Sequence, residues 1–168
     1  MDFHTISPSA LEGNVFDRVG KQWMLVAASD GGRHNAMTAS WGGMGVLWNK
    51  NVFFCFVRPQ RYTHAFTEQS GNISLSFFGE EYRGALTFYG RHSGRDCDKE
   101  RETGLTVFEE DGFIGFSQAE TILCGKKLYA DTIRPQNFID TDYTQWYGED
   151  DFHTVYVCEI VKILKKDG

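Results

Sequence analysis

A turn signal between two strand-like segments constrains this chain most. The tripeptide Asp-Gly-Gly at residues 30–32 separates the apolar run 23–28 from the segment 36–41. Glycine reaches the positive φ angles of tight turns, so this arrangement predicts an antiparallel hairpin. The glycine pair at residues 42–43 then allows a bend or bulge where the second strand ends.

The rest of the chain repeats this alternation of strands and turns. Aromatic residues make up 15% of the chain, which favours β structure. The predicted strands are 46–48 and 52–57, joined by a hairpin-like connection at 49–51, followed by 73–78, 121–130 and 152–164. The predicted helices are 7–11, 63–69 (capped by Thr63) and 80–89, with a polar surface loop at 90–99 that leads into a short helix and an irregular acidic loop at 135–151. Many strands and few helices indicate one domain over residues 1–168, a mainly β antiparallel barrel with short capping helices.

Charge and cysteine patterns narrow the classes of function. The formal net charge is -6, which argues against a nucleic-acid partner. The four cysteines lack the spacing of metal-binding or redox motifs, so no metal site is predicted. Cys55 and Cys158 lie in apolar runs, where buried free thiols are common. Residues 1–14 carry no signal pattern, and no apolar run approaches the roughly 20 residues that cross a bilayer. The expectation is a cytoplasmic protein with no membrane segment.

The first candidate binding segment comprises residues 35–43. It places small and polar side chains beside backbone amides, which suits a flat, polar ligand. On periodicity alone, a bulged hairpin with polar edges is the favoured interpretation. The glycines at 42, 43 and 45 do not form a dinucleotide fingerprint, because no helix follows and the third glycine of that motif is missing.

The second candidate segment offers groups that bind phosphate. Arg58, Arg61 and Thr63 supply two guanidinium groups and a hydroxyl at a predicted helix start. A turn with solvated arginines and an ordinary threonine cap explains the same residues equally well.

The third candidate segment is the charged loop at residues 93–99, followed much later by His153. Mixed charges on a loop are usually solvated or paired with one another. A functional version would close over a cofactor, with Arg95 or Lys99 near an electron-rich ring edge. His153 heads the last strand, where a structural hydrogen-bonding role is the commoner one, but its titration range makes it a candidate proton donor.

Taken together, the three motifs resemble those of the flavin reductase-like family, and more narrowly of flavoredoxin-type FMN-binding split-barrel proteins. The similarity runs from about residue 23 through the strand that contains His153, in the family's order. The resemblance implies a six-stranded antiparallel Greek-key split barrel that works as a homodimer, with FMN near the subunit interface. The chain departs from its relatives at His92, where they have a small or aliphatic residue, so the substrate side of the pocket is expected to differ.

The same resemblance assigns cofactor-binding residues. Those expected to line the flavin are Asn35, Ala36, Met37, Thr38, Ser40 and Trp41. Those expected at the phosphate end are Arg58, Pro59, Arg61, Tyr62 and Thr63. Those expected close to the bound cofactor from the charged loop are Ser93, Gly94, Arg95 and Lys99.

The implied function is an FMN-dependent oxidoreductase that passes electrons from NADH or NADPH through the flavin to an unidentified acceptor. His153 would serve as a hydrogen-bond donor or proton source near the ring. The first alternative is an FMN-binding electron carrier without NAD(P)H activity of its own, working with a redox protein partner. The second is a reductase that supplies free reduced flavin to a monooxygenase. A split barrel that binds haem or pyridoxal phosphate is a third, although no lysine or His/Cys pair is convincingly placed for either group.

Overall fold

A computed structural model describes residues 3–139 and 142–168. The strands are β1 Phe3–Ile6, β2 Met24–Ser29, β3 His34–Ala39, β4 Gly42–Leu47, β5 Lys50–Val57, β6 Asn72–Phe77, β7 Val107–Glu110, β8 Phe113–Phe116, β9 Thr121–Thr132 and β10 Thr154–Lys166. The α-helices are α1 Val15–Asp17, α2 Tyr62–Gln69, α3 Arg83–Arg91 and α4 Lys99–Thr103, and a π-helical turn over Arg18–Gln22 continues α1. Single 3-10 turns span Pro8–Ala10, Glu80–Tyr82, Pro135–Asn137 and Tyr143–Gln145.

The main sheet is antiparallel, with strands in the order β3-β2-β6-β9-β10-β5-β4 and with β1 beside β10. It has eight strands where the resemblance implied six. The 13-residue strand β10 is long enough to pair with β5 over Thr154 to Glu159 and with β1 over Ile163 to Lys166. Strands β7 and β8 form a separate hairpin. The prediction of a mainly β antiparallel fold with short capping helices is confirmed.

Strand β2 is buried on both faces, which explains its unbroken apolar run. Met24 and Val26 belong to one hydrophobic cluster, whereas Leu25 and Ala27 belong to the other. The second cluster also contains Leu86 from α3. Burial of each large apolar side chain contributes about 1.5–3 kcal/mol to the stability of the fold. Because its two faces contribute to different clusters, β2 connects the barrel interior to the helical cap.

Both predicted hairpins are present. Asp30 Oδ1 accepts hydrogen bonds from the backbone amides of Gly32 at 3.1 Å and Arg33 at 2.8 Å, which closes the turn between β2 and β3. The turn between β4 and β5 uses Trp48 and Asn49, with φ angles of 50° and 58°. The left-handed conformation at both positions matches the twist of a two-residue hairpin.

Two local predictions are wrong. Helix α2 begins at Tyr62 without a side-chain cap, and Thr63 lies inside it. The hydroxyl of Thr63 instead accepts a hydrogen bond from Asn35 Nδ2 at 2.7 Å. Lys99 is not a solvated loop residue, because α4 begins there and only 5% of Lys99 is exposed.

The predicted strand at 46–48 is displaced, because β4 covers Gly42–Leu47 and Trp48 is a turn residue. Other segments agree more closely with the sequence. The predicted helix at 80–89 is a 3-10 turn followed by α3. The acidic segment 135–151 is irregular apart from two 3-10 turns, and its residues 140 and 141 lie outside the described parts. All four cysteines are free, with Cys55, Cys124 and Cys158 buried and Cys97 half-buried. None of the helices in the described ranges is both long and apolar enough to span a bilayer.

Candidate functional site

Strand β3 ends the sheet path, so one side of its backbone has no neighbouring strand among the described residues. The Ala36 carbonyl accepts a hydrogen bond from Lys99 Nζ at 2.8 Å. This contact shows that the backbone of Ala36 faces outward. Backbone direction repeats every second residue along a strand, so Thr38 faces the same way. The open edge therefore presents backbone groups to a ligand.

Two clefts meet along this edge. The first has a volume of about 210 Å³, and we call it the aromatic end of the groove; it is lined by Met37, Thr38, Ala39, Ser40, Trp41, Phe56, Arg58, Arg61 and His153. The second has a volume of about 290 Å³, and we call it the arginine end; it is lined by Trp23, Thr38, Ser40, Arg61, Leu86, Thr87, Gly90 and Arg91. Thr38, Ser40 and Arg61 line both, so the two clefts form one groove.

Arg61 and Lys99 form a pair of cations beside this groove. Arg61 Nη2 and Lys99 Nζ donate to the same Tyr89 carbonyl oxygen, at 3.1 Å and 3.4 Å. Within the described residues, neither cation forms a salt bridge with a carboxylate. Burial lowers the pKa of Arg61, while burial and the charge of Arg61 lower the pKa of Lys99 to about 8. Two close cations without a counter-ion create a strong preference for an anion.

His153 forms part of the aromatic wall at the other end. Only 7% of it is exposed, and its ring centroid lies 5.4 Å from Trp41 and 6.0 Å from Phe56. Its Nδ1 is 2.6 Å from the hydroxyl of Tyr147. Burial and the nearby charge of Arg58 lower the pKa of His153 to about 4, so the imidazole is neutral near pH 7.

Arg58 lines the aromatic end but already has an anionic partner. Its Nη1 donates to Asp151 Oδ2 at 2.7 Å, and its Nη2 donates to the Trp146 carbonyl at 2.5 Å. The guanidinium also lies over the ring of Tyr147, 5.2 Å from its centroid. Arg58 therefore holds residues 146–151, which precede β10, against the rim of the groove.

The predicted site residues fall into two groups. The groove brings together Met37, Thr38, Ser40, Trp41, Arg58, Arg61 and His153. A separate cleft of about 370 Å³ includes Asn35, Tyr62, Gly94 and Lys99 in its lining. The Arg95 guanidinium lies over the Tyr62 ring, 4.6 Å from its centroid. Of the other predicted site residues, Ser93 is half-buried, Ala36 and Thr63 are buried, and Pro59 is exposed.

The groove also contains residues that the motif analysis did not select. Phe56 lines the aromatic end, and Trp23, Thr87 and Arg91 line the arginine end. The basic character of Arg91 was the usable signal, since Arg58, Arg61, Arg91 and Arg95 are the arginines around the second and third candidate segments. Tyr147 lies in an irregular segment, where no periodicity distinguishes it from its neighbours.

Comparisons with known proteins define the fold. No protein-family model and no curated protein sequence matches the chain. An FMN-binding domain of a flavin reductase-like enzyme from Shewanella baltica OS155 matches with a TM-score of 0.70 and 17% identity, over 98% of this chain and 77% of that one. Flavoredoxin from Desulfovibrio vulgaris (Miyazaki F) matches with a TM-score of 0.68 and 19% identity, over 96% and 77% of the two chains. The chain has the flavin reductase-like split-barrel fold.

A third split-barrel structure extends the comparison to an enzyme with a stated electron donor. The NADH:FAD oxidoreductase from Streptomyces globisporus C-1027 matches with a TM-score of 0.62 and 15% identity, over 86% of this chain and 75% of that one. At these identities the likeness establishes the shared split-barrel fold. A shared fold does not determine chemistry, which depends on the residues of this chain's own groove.

Proposed function

We propose that this protein is an FMN-binding oxidoreductase that passes electrons from NADH or NADPH through the flavin to an acceptor. The observation that carries the proposal is the pair Arg61 and Lys99, which lacks a carboxylate partner in the described structure and lies beside the open edge of β3. Flavin-binding proteins with the same fold support this assignment.

The groove fits the chemical parts of FMN. A phosphate needs cationic and hydroxyl donors, and the arginine end supplies Arg61, Arg91 and Ser40. A flat ring system needs apolar walls, and the aromatic end supplies Trp41 and Phe56 among others. Most ligand pockets have volumes of about 300–1,000 Å³, and each cleft alone is smaller than that range. The two clefts share three lining residues, so together they form one larger groove. We therefore assign the phosphate to the arginine end and the ring to the aromatic end.

The protein's contribution is binding and orientation. FMN, when bound, supplies the hydride and electron transfer chemistry. Arg61 holds the anionic group, the outward backbone of β3 orients the polar ring edge, and Trp41 excludes water from one side. The low pKa of His153 makes it a poor proton source near pH 7, so its proposed role is that of a hydrogen-bond donor.

We also propose that the protein forms a homodimer. The hairpin of β4 and β5 carries exposed apolar side chains, with Val46 72% exposed and Trp48 60% exposed. Trp41, which is 45% exposed, lies in the lining of the aromatic end, so a partner on this side would cover the groove. Exposed apolar side chains on the strand that follows this wall of the groove favour an interface between subunits.

The spectrum of the dialysed protein, followed by anaerobic addition of NADH or NADPH, tests the proposed function. Retained flavin bands that bleach on addition support an FMN-dependent reductase. Bands that persist identify an electron carrier that needs a separate reductase. Loss of colour on dialysis, with nucleotide oxidation restored by free FMN, identifies a reductase that uses flavin as a substrate. A colourless protein that takes up no FMN would overturn the assignment.

A further inference from the structure

Helix α4 covers the start of the open edge of β3 and contacts it at two points. The first contact is the hydrogen bond from Lys99 Nζ to the Ala36 carbonyl, at 2.8 Å. The second joins His34 Nε2 and Glu100 Oε1, which are 3.0 Å apart. The two strand residues are two positions apart, so their side chains share one face, and the two helix residues are consecutive. We call the contact between His34 and Glu100 the α4 clamp.

Helix α4 is too short to hold its own position. It spans five residues, Lys99–Thr103, and isolated helices of that length are unstable in water. Its own hydrogen bonds are local, since Asp98 Oδ1 accepts from the Arg101 amide at 3.1 Å and the Thr103 hydroxyl donates to the Lys99 carbonyl at 2.7 Å. These bonds close the helical turn but do not reach the sheet. Among the hydrogen bonds of the described residues, the two contacts with β3 attach α4 to the sheet.

The α4 clamp depends on charge as well as on geometry. Both side chains are partly shielded, with His34 32% exposed and Glu100 37% exposed. The hydrogen bond to Glu100 raises the pKa of His34 against the opposing effect of burial. The other charged or titratable groups around the imidazole are Asp98 and Glu109, which also raise its pKa, and Arg33, Tyr62 and Lys99, which line the same cleft. The ion pair is therefore present below the pKa of His34 and is lost as the pH rises through it.

The ammonium group that α4 carries lies at the boundary between the groove and the neighbouring cleft. Lys99 lines that cleft, but it shares the Tyr89 carbonyl with Arg61, which lines the groove. Only 5% of Lys99 is exposed. Its charge is at the end of a flexible four-carbon stem, so the position of the charge depends on where the helix backbone is held.

We propose that His34 and Glu100 are positioning residues, and that the protonated α4 clamp holds the Lys99 ammonium beside the anionic group of the cofactor. The proposal rests on the proposed function, and it deepens it by assigning a part in cofactor binding to a pair outside the groove. Neither residue is in the lining of the groove, so their effect passes through Lys99. Release of the clamp leaves Arg61 in the groove but removes the second positive charge from its side.

The first test measures protection of the Lys99 amine in the full chain without FMN. Reductive methylation and peptide mass spectrometry give a rate for each lysine, and Lys21, whose side chain is 81% exposed, normalises the rates. We expect Lys99 to react about fivefold faster in His34→Leu than in the wild-type protein, the effect of losing one hydrogen bond. An unchanged Lys99 rate in His34→Leu overturns the proposal.

Two further variants show whether the effect belongs to the α4 clamp. His34→Gln keeps a donor for Glu100 but has no titrating proton, and it should restore slow labelling of Lys99. His4→Leu is the matched control, because His4 forms a similar pair with Asp167 on β1, 2.5 Å apart, and its loss should leave the Lys99 rate unchanged. Equal acceleration by His4→Leu and His34→Leu would indicate general destabilisation and would contradict the proposal.

The second test is fluorescence titration with FMN. We expect His34→Leu to weaken FMN binding about fivefold in the wild-type background and to have no further effect in Lys99→Met. A loss in Lys99→Met as large as in the wild-type background overturns the assigned route through Lys99. The labelling result without FMN still decides whether the clamp holds α4, whereas failure of the wild-type protein to bind FMN counts against the proposed function.

The pH profile separates the α4 clamp from a purely structural contact. The ratio of FMN affinity in the wild-type protein to that in His34→Gln cancels the ionisation of the FMN phosphate itself. We expect this ratio to fall about threefold between about pH 6 and about pH 8, as His34 loses its proton. A ratio that does not change with pH contradicts the proposed dependence on the His34 charge.

Discussion

Arg61 and Lys99 share one acceptor, the carbonyl oxygen of Tyr89. Lys99 also donates to the Ala36 carbonyl, so its three N–H groups have two acceptors in the described structure. Burying two positive charges around uncharged oxygens is unfavourable until an anion arrives. Arg61 lines the groove itself and Lys99 adds its charge from the neighbouring cleft, so the affinity of the groove for FMN should depend on both residues.

Replacement of Arg61 tests the phosphate assignment. We expect Arg61→Ala to weaken FMN binding by about 1.5–3 kcal/mol, the usual contribution of a hydrogen bond to a charged group. Fluorescence titration with FMN measures the change. Arg101→Ala on the exposed side of α4 is the control and should bind FMN normally. Normal affinity in Arg61→Ala would remove Arg61 from the phosphate site.

The pKa of Lys99 predicts a pH dependence of FMN affinity. A bound phosphate stabilises the protonated amine, so its pKa must be higher in the complex than the value of about 8 in the free protein. Binding then takes up protons above that pH, and affinity falls as the pH rises through about 8. Titrations between about pH 7 and 9.5 measure this slope. In Lys99→Met the slope should disappear over the same range; an unchanged slope would assign it to another group.

At the scale of elements, the corner between β3 and β4 controls where Trp41 lies. Gly42 has φ of +148°, and a Cβ atom there would be 2.5 Å from the Phe54 carbonyl oxygen. Only glycine combines this angle with so close an approach of backbone. The corner therefore fixes the strand end from which Trp41 reaches the groove.

Substitution of Gly42 tests this account of the corner. We expect Gly42→Ala to lower the free energy of unfolding by about 2 kcal/mol or more, because the backbone oxygen cannot move aside cheaply. Urea unfolding measures the loss. Gly45→Ala lies on the same strand with no atom within 4 Å of the added Cβ, and it should change stability by less than about 1 kcal/mol. Equal effects of the two substitutions would show that the corner is not constrained.

Sequence patterns predicted those elements whose causes are local. The hairpins follow from turn residues such as Asp30, and α3 follows from apolar spacing that places Leu86 and Tyr89 in the core. The errors arise where distant partners decide. Thr63 bonds to a residue 28 positions away, and Lys99 bonds to one 63 positions away. The motifs identified the right segments, but only the packed fold divides them between the groove and the neighbouring cleft.

At the scale of the whole molecule, the fraction of protein in the proposed homodimer depends on protein concentration. Sedimentation velocity should show a dimer, and Val46→Glu should weaken it about tenfold or more by burying a charge in the interface. Phe16→Glu changes a side chain that is 86% exposed on α1, and it should leave the association unchanged. A monomer at every concentration, or equal weakening by both substitutions, contradicts the proposed interface.

The barrel also shields its sulfur atoms. Burial raises the pKa of Cys124 and Cys158 to about 12, and it raises that of Cys55 well above its ordinary value. Alkylating reagents attack thiolates, so iodoacetamide should modify Cys97 in the folded protein and all four cysteines after unfolding, counted by mass spectrometry. Rapid modification of all four in the native protein would contradict this. Slow labelling of the three sheltered sulfurs therefore measures how often the barrel opens, without any probe added to the chain.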